Sequence, residues 1–274
     1  MTVTTTGTDR FEDMIDGVSV MAGAANVIMQ LARPGVGYGV VESTVESGQI
    51  FRHPIKRTRT TLTYLAVVGL GSDDERLAYR QEVNRAHRQV RSGPDSPVQY
   101  NAFDPELQLW VAACLYRGFV DTHLALHGPM ADDEADEFYR QAARLGTTLQ
   151  VKEGMWPSDR AAFDRYWEES LAKVSIDDTV RRYLYRIASA EFFPRPVGLL
   201  LGPLNRFITA GFLPQQFRDE MQMSWDARDQ RRFDAMMSVV ARVNGFMPRI
   251  VRLFPFNVYM WDLRRRLRTG RPAV

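Results

Sequence analysis

The chain has 274 residues, of which 45% are hydrophobic and 25% are charged, the ordinary balance of a globular protein. Its formal net charge of +2 gives no electrostatic reason to expect nucleic acid as the main partner. Cys114 is the only cysteine, so an internal disulfide and a cysteine-rich metal site are both excluded.

The first residues, M-T-V-T-T-T-G-T-D-R-F-E-D-M, lack the basic and apolar regions of a secretory signal peptide. Their threonine and glycine content predicts a frayed tail over residues 1–8. No stretch reaches the roughly 18 uninterrupted apolar residues of a membrane-spanning helix. We therefore expect a cytoplasmic protein, with the oligomeric state left open.

The first half of the chain has helical periodicity. Helices are predicted over Asp9–Leu31 and Arg57–Leu70. Gly35–Val45 could be a strand or a helix, and a short helix is favoured because nothing nearby supplies a partner strand. Ser72 then opens a predicted helix over residues 72–90, with a glutamate three residues later that completes a capping box.

The second half, after a loop at residues 92–97, is also predicted to be helical. Asp104-Pro105-Glu106 opens a helix, with proline in the first turn and acids near the positive end of the helix dipole. Period-two alternation is almost absent, and no internal repeat or low-complexity linker occurs. The sequence therefore predicts one all-α domain over residues 1–274. Further helices are predicted over 132–145, 175–188, 199–207, 213–221, 226–244 and 248–267, and from Ser158.

Candidate binding residues occur on the two consecutive helices of the first half. Arg57 and Thr61 are four residues apart and so share one helical face. His87 falls within the apolar stripe of the next helix. An imidazole that faces an apolar interior, opposite a basic and hydroxyl-bearing helix, is one way to bind a haem. The same residues also suit ordinary packing, with a hydrogen-bonded core histidine and a threonine bonded to its own helix.

Other catalytic motifs are missing from the sequence. It has no H-E-x-x-H, no repeated Glu-x-x-His, no G-x-S-x-G and no phosphate-binding glycine loop. His123 and His127 have metal-ligand spacing, but they lie beside Gly128-Pro129 at a helix end, where surface or capping histidines are common. A non-haem metal site is therefore not predicted.

Five arginines lie between Arg264 and Arg271. A solvated helix end, whose negative dipole pole attracts cations, accounts for them. Peripheral membrane contact is the alternative, because aromatic residues precede the arginines at Phe254, Phe256, Tyr259 and Trp261.

Ordered segments from about Gly17 to Leu267 resemble the MpaB-type and latex-clearing (rubber oxygenase) haem protein family. The segments are I-M-Q-L-A-R-P-G-V-G-Y-G-V, R-T-R-T-T-L-T-Y-L-A-V-V-G-L-G, V-N-R-A-H-R-Q-V-R, Y-N-A-F-D-P-E-L-Q-L-W-V-A-A, G-F-L-P-Q-Q-F-R and the arginine-rich end. The resemblance implies an all-α fold with a globin-like core around a b-type haem. It also implies an oxygenase that uses O2 on an apolar, isoprenoid- or lipid-like small molecule.

The resemblance assigns roles residue by residue. His87 matches the proximal iron ligand, and Arg57 and Thr61 match an arginine and a threonine near the haem. Thr60 stands where rubber oxygenases carry a lysine. Glu42 is the nearest match to a catalytic base. By this resemblance Arg57 pairs with a haem propionate, and an apolar pocket raises the pKa of Glu42.

The chain also departs from the family pattern. Arg33, Glu42 and Ala112 stand where many members carry a histidine. A haem-binding sensor or carrier without oxygenase turnover is therefore the alternative function. A third possibility is a helical interaction module that has lost its cofactor.

Overall fold

The computed structural model describes residue 11 and residues 14–152 and 154–273. Across these residues the chain forms α-helices and short 3-10 segments but no β-strand, and one isolated antiparallel bridge joins Arg91 to Asn101. The all-α prediction is confirmed. No helix in the described ranges is both long and apolar enough to cross a membrane.

The N-terminal region consists of a 3-10 segment, Gly17–Ala22, followed by helices α1 (Gly23–Leu31) and α2 (Pro34–Val41). The prediction of one continuous helix over Asp9–Leu31 is wrong, because Asp16 has extended backbone angles and its carboxylate accepts a hydrogen bond from the Val18 amide, starting a new segment. Residues 1–10, 12 and 13, including the predicted tail, lie outside the described residues. The short helix expected after Pro34 is confirmed.

Helices α3 (Pro54–Leu70) and α4 (Asp73–His87) follow a 3-10 turn at Glu46–Gly48. Proline at the first turn of α3 suits a position whose amide needs no intrahelical acceptor. The predicted capping box of α4 is confirmed: the Ser72 hydroxyl accepts from the Glu75 amide, and the Glu75 carboxylate accepts from the Ser72 amide.

The central helix is α5 (Pro105–His127), which packs against α1, against the short α7 (Arg144–Thr147) and against a later helix, α12 (Ala227–Gly245). The approach of α1 to α5 is close at Gly118, where a β-carbon would lie 2.2 Å from the Asn26 amide nitrogen. That amide donates to the Cys114 carbonyl at 2.6 Å. A residue without a side chain is therefore required at this helix contact.

The remaining helices surround α5. Their bounds are α6 Asp132–Ala142, α8 Arg160–Leu171, α9 Asp178–Ala188, α10 Arg195–Phe212, α11 Gln215–Glu220, α13 Arg249–Arg252 and α14 Phe256–Arg268. The predicted single helix over 248–267 is wrong, because Pro255 lacks the amide that would continue it and the chain forms α13 and α14 instead. Helix α14 packs along α3.

Aromatic side chains fill the core between these helices. Trp110 is fully buried and stacks on Trp167 with ring centroids 5.1 Å apart. A second group surrounds Tyr116, whose ring makes an edge contact with Phe163 at 4.8 Å and stacks on Phe138 at 5.5 Å. This rigid core holds α5 in place and leaves a cavity on the side of α3 and α4.

Candidate functional site

A cavity of about 270 Å³ lies between α1, α2, α3, α4, α5 and the loop that follows α4. Its walls are mainly apolar, with leucine, valine and glycine predominating. The polar side chains in its lining are few: Gln30, Ser43, Arg57, Thr60, Thr61, Tyr64, Tyr79, His87, Tyr100, Asn101 and Gln108. Such a cavity suits an apolar ligand that is oriented by a small number of polar groups.

One face of α3 supplies a polar row in this cavity, because Arg57, Thr60, Thr61 and Tyr64 follow the helical repeat. The Arg57 guanidinium makes no hydrogen bond or ion pair with any described residue, and burial lowers its pKa. Removing a cation from water without providing a counter-ion costs folding free energy. The position is therefore suited to an anionic group of a ligand.

Thr60 and Thr61 lie beside Arg57, and both hydroxyls donate to its carbonyl, at 2.9 Å and 3.1 Å. This is the local pattern in which a threonine bonds to its own helix. The donors are thus occupied, and the hydroxyl lone pairs and methyl groups are what the two residues offer to the cavity. The Thr60 carbonyl also accepts from the Tyr79 hydroxyl at 2.6 Å, which ties α3 to α4.

His87 is the last residue of α4 and lines the same cavity as Arg57. Its Nδ1 atom is buried and has no hydrogen-bond partner among the described residues. Burial lowers the pKa of His87, the Gln150 side chain opposes this shift, and the charge of Arg57 adds to it. The imidazole is therefore neutral at neutral pH and keeps a lone pair for a ligand.

Three amide side chains next to His87 were not predicted from the sequence. Gln108 donates through Nε2 to Gln150, and Gln150 donates through Nε2 to Asn84. The Gln150 backbone amide donates to Oε1 of Gln108 at 3.0 Å. Asn84 lies on the same helix as His87, but Gln108 and Gln150 come from distant parts of the chain, so no local sequence signal could have placed these two beside it.

Two tyrosines, the buried Tyr79 and the half-buried Tyr64, complete the polar lining near Arg57. The Tyr64 hydroxyl donates to the Leu145 carbonyl, and its ring lies 6.3 Å from that of Tyr79. Burial is the main cause that raises the pKa of both phenols. Both therefore remain protonated hydrogen-bond donors across the physiological pH range.

Glu42 lies outside this cavity. Its side chain is exposed at the end of α2, and it accepts a hydrogen bond from the Tyr100 hydroxyl at 2.8 Å. The prediction that an apolar pocket encloses Glu42 is wrong, because the end of α2 faces solvent. Tyr100 does line the cavity, and burial, with a smaller contribution from Glu42, raises the pKa of Tyr100 to about 12.

The other positions that depart from the family pattern are structural. Arg33 is buried, lies over the Trp110 ring at 5.4 Å and donates to the Ser170 carbonyl at 3.3 Å. Ala112 is buried in the core. Neither residue lines the cavity.

The remaining histidines and the C-terminal arginines lie away from the cavity. The rings of His123 and His127 lie 4.9 Å apart and are tilted by 48°, and no group of three or more metal-ligating side chains occurs in the described part of the chain. Arg264 pairs with Glu75 at 2.7 Å, and Arg266 pairs with Asp262 at 2.7 Å. Two arginines of the C-terminal segment therefore form intramolecular ion pairs.

The fold and the site define a helical protein with an apolar cavity, which is lined by a neutral histidine and by a half-buried arginine that forms no ion pair with a described residue. Residues 12–242 match the catalytic domain of the family described as ER-bound oxygenase mpaB/B′/Rubber oxygenase. The chain belongs to this family, which supports an oxygenase in general.

Two mycobacterial proteins are similar to this chain over nearly their whole lengths. They are "Uncharacterized protein Rv2237" of Mycobacterium tuberculosis and "Uncharacterized protein Mb2261" of Mycobacterium bovis. Each is 55% identical over 251 residues, which is 92% of this chain and 98% of the relative. No solved structure matches the chain at a significant level.

Proposed function

We propose that this protein is a haem b-dependent oxygenase that acts with O2 on an apolar, isoprenoid- or lipid-like small molecule. The observation that carries the proposal is the pair formed by Arg57 and His87. Both line one apolar cavity; His87 has a buried Nδ1 without a hydrogen-bond partner, and the half-buried Arg57 guanidinium forms no ion pair with a described residue. A haem would offer its iron to the His87 imidazole and its propionate carboxylates to the Arg57 guanidinium, so one cofactor would partner both residues.

His87 would hold the haem iron as the proximal ligand. A ligating imidazole must be neutral, and the lowered pKa of His87 meets this requirement. Gln150, which is bonded to Gln108, acts on the imidazole from the protein side and would help to orient it, as the neighbours of a ligating histidine usually do. When bound, haem b supplies the iron centre that activates O2.

Arg57 would hold a propionate carboxylate, for which its guanidinium is a bidentate partner. Thr60 and Thr61 would contact the cofactor through their methyl groups and lone pairs, because their protons are bonded to the Arg57 carbonyl. The apolar walls exclude water and favour an apolar substrate. In this proposal α3 and α4 form part of a globin-like core around the cofactor.

Glu42 is still proposed as the base, although it lies outside the cavity. Its contact with the cavity runs through the Tyr100 hydroxyl, which donates to the carboxylate. Tyr100 can hold a proton at the cavity wall while Glu42 exchanges protons with solvent. A Glu42→Gln variant should therefore lower turnover and leave haem content unchanged.

The first test is an absorption spectrum of protein purified from haem-replete cells, together with a pyridine haemochrome assay. We expect a Soret band and about one haem per chain, as a single axial histidine site requires. The His87→Ala variant should lose haem or change its spectrum, whereas His127→Ala, at an exposed histidine, should not. A colourless wild-type protein that takes up no added haemin would contradict the proposal.

The second test separates an oxygenase from a sensor or carrier. The haem-loaded protein is reduced and mixed with O2 and an isoprenoid alkene. Oxygen consumption is recorded, and products are identified by mass spectrometry. Many turnovers per chain are expected for an oxygenase. One equivalent of O2 bound without product would favour the carrier.

A further inference from the structure

The C-terminal half of the molecule exposes many large apolar side chains. Leu200 is 78% exposed, Phe246 is 85% exposed and Ile250 is 72% exposed. They belong to two segments, 193–204 and 239–261, whose exposed members are Phe193, Val197, Leu199, Leu200, Leu201, Leu204, Val239, Val243, Phe246, Met247, Ile250, Val251, Phe254, Val258 and Trp261. We call these side chains the apolar surface. A water-soluble monomer seldom exposes so many apolar side chains together without a partner.

The charges on the two segments have one sign. No aspartate or glutamate occurs between Glu191 and Asp219, or between Asp234 and Asp262. Arginines are interspersed with the apolar residues. Two of them, Arg195 and Arg242, are exposed and form no ion pair with a described residue, and the same holds for Arg206, two residues beyond the first segment.

Contacts within the fold hold the two segments next to one another. The 3-10 segment Gly17–Ala22 packs against α10, which carries the first segment. Just before it, Asp16 accepts a hydrogen bond from Asn244 at 2.7 Å. Gly17 lies so close to Phe254 that a β-carbon would be 1.7 Å from its carbonyl oxygen. Both segments therefore flank the same short turn.

The charge pattern decides between the possible partners. In a symmetric dimer the apolar surface would meet itself, and cations would face cations. An anionic bilayer offers an apolar interior for the leucine, isoleucine and phenylalanine side chains and negative headgroups for the arginines. We propose that the apolar surface docks this protein on an anionic lipid bilayer.

Docking of this kind is peripheral. No described helix can span a bilayer, and the exposed residues would enter only the headgroup and upper acyl region. None of the apolar surface lines the cavity that contains Arg57 and His87. The inference therefore goes beyond the proposed oxygenase function and does not depend on it.

The test is co-sedimentation of the full chain with vesicles of phosphatidylcholine alone, and with vesicles in which phosphatidylglycerol replaces part of it. We expect binding to the anionic vesicles, weaker binding at high salt and little binding to phosphatidylcholine alone. The Phe246→Ser/Ile250→Ser double variant should bind at least about tenfold more weakly. Leu77→Ser is the matched control: Leu77 is 53% exposed on α4, beside Asp73 and Asp74, and its loss should have no effect.

A second variant tests the charges and is expected to fold, because it changes only exposed side chains. Arg206→Gln/Arg242→Gln should weaken binding to anionic vesicles about tenfold or more, since each arginine near the membrane surface contributes to attraction. Arg88→Gln/Arg91→Gln, at exposed arginines that follow α4, should not. Circular dichroism checks that every variant is folded.

Three outcomes would overturn the proposal. One is that the wild-type chain fails to bind anionic vesicles at low salt. Another is that the Phe246→Ser/Ile250→Ser variant binds as tightly as the wild type. The third is a concentration-dependent dimer, seen by analytical ultracentrifugation, that this variant dissociates while vesicle binding is absent. That last result would assign the apolar surface to self-association.

Discussion

Arg57 and His87 line one cavity from consecutive helices, and the charge of Arg57 adds to burial in lowering the pKa of His87. The Arg57 charge thus favours the neutral imidazole, which is the form that can donate an electron pair to a ligand. One ligand that carries an anionic group and an electron-pair acceptor would partner both residues.

This relationship predicts a pH effect in haem-free protein. The folded pKa of His87 lies below its unfolded value of about 6.5. Stability from neutral His87 is therefore present above pH about 6.5 and is lost as the pH falls toward the folded pKa. The midpoint of thermal unfolding should fall over this acid range, and less in a His87→Gln variant. Equal acid sensitivity of the two proteins would contradict the prediction.

A second prediction concerns the electrostatic coupling itself. Removing the positive charge with Arg57→Gln should raise the pKa of His87, measured by NMR titration of its imidazole in haem-free protein. Arg85→Gln changes an exposed arginine two residues from His87 and serves as the control. A larger shift in the control than in Arg57→Gln would show that the coupling does not run through the cavity.

Arg57 is also expected to oppose stability while it favours ligand binding. Arg57→Met replaces a half-buried cation, which has no ion-pair partner among the described residues, with an apolar chain of similar length, and should stabilise haem-free protein by about 1–2 kcal/mol in urea unfolding. The same variant should bind haemin more weakly than wild type. Lys56→Met is the control, since Lys56 forms an exposed ion pair with Glu46 and should change stability by less than about 1 kcal/mol.

The contact between α1 and α5 predicts a steric effect. Gly118→Ala would place a methyl group 2.2 Å from the Asn26 amide nitrogen, and should destabilise the fold by about 1–3 kcal/mol. Gly245→Ala is the matched control, because a β-carbon there meets nothing within 4 Å. Denaturant unfolding of both variants would test this, and equal stabilities would contradict the expected clash.

Removal of a single oxygen atom can measure how much the hydrogen bond between α3 and α4 contributes to stability. Tyr79→Phe removes the hydroxyl that donates to the Thr60 carbonyl and should cost about 1 kcal/mol. Tyr185→Phe is the control, because its contact with the Gln222 carbonyl is long, at 3.4 Å, and exposed. The difference in unfolding free energy between the two variants measures the buried bond. If Tyr185→Phe lost as much unfolding free energy as Tyr79→Phe, the prediction would be wrong.

Local chemistry explains which parts of the fold could be predicted. The capping box at Ser72 and the proline start of α5 are determined by neighbouring residues, so the sequence placed both helix starts correctly. The breaks at Asp16 and Pro255 also have local causes. Apolar periodicity continues across both positions, however, so the sequence predicted one continuous helix at each. Helix existence was therefore easier to predict than helix continuity.

The site was predictable to a smaller extent. Helical spacing correctly placed Arg57 and Thr61 on one face, and the apolar stripe of α4 directed His87 to the cavity. The exposure of Glu42 depends on how the end of α2 meets solvent, which is set by tertiary packing. The cluster of Gln108 and Gln150 depends on two distant segments meeting, so no spacing rule applies to it.

The packing of α14 along α3 has a consequence for biosynthesis. The helix that carries Arg57 is covered by residues made near the end of translation, and Arg264 pairs with Glu75 across 189 positions. A nascent chain that has released α3 and α4 from the ribosome still lacks the packing of α14 against α3. We therefore expect the cavity to close, and any cofactor to be retained, only after translation is nearly complete. A chain truncated before Phe256 should release its ligand or fail to acquire one.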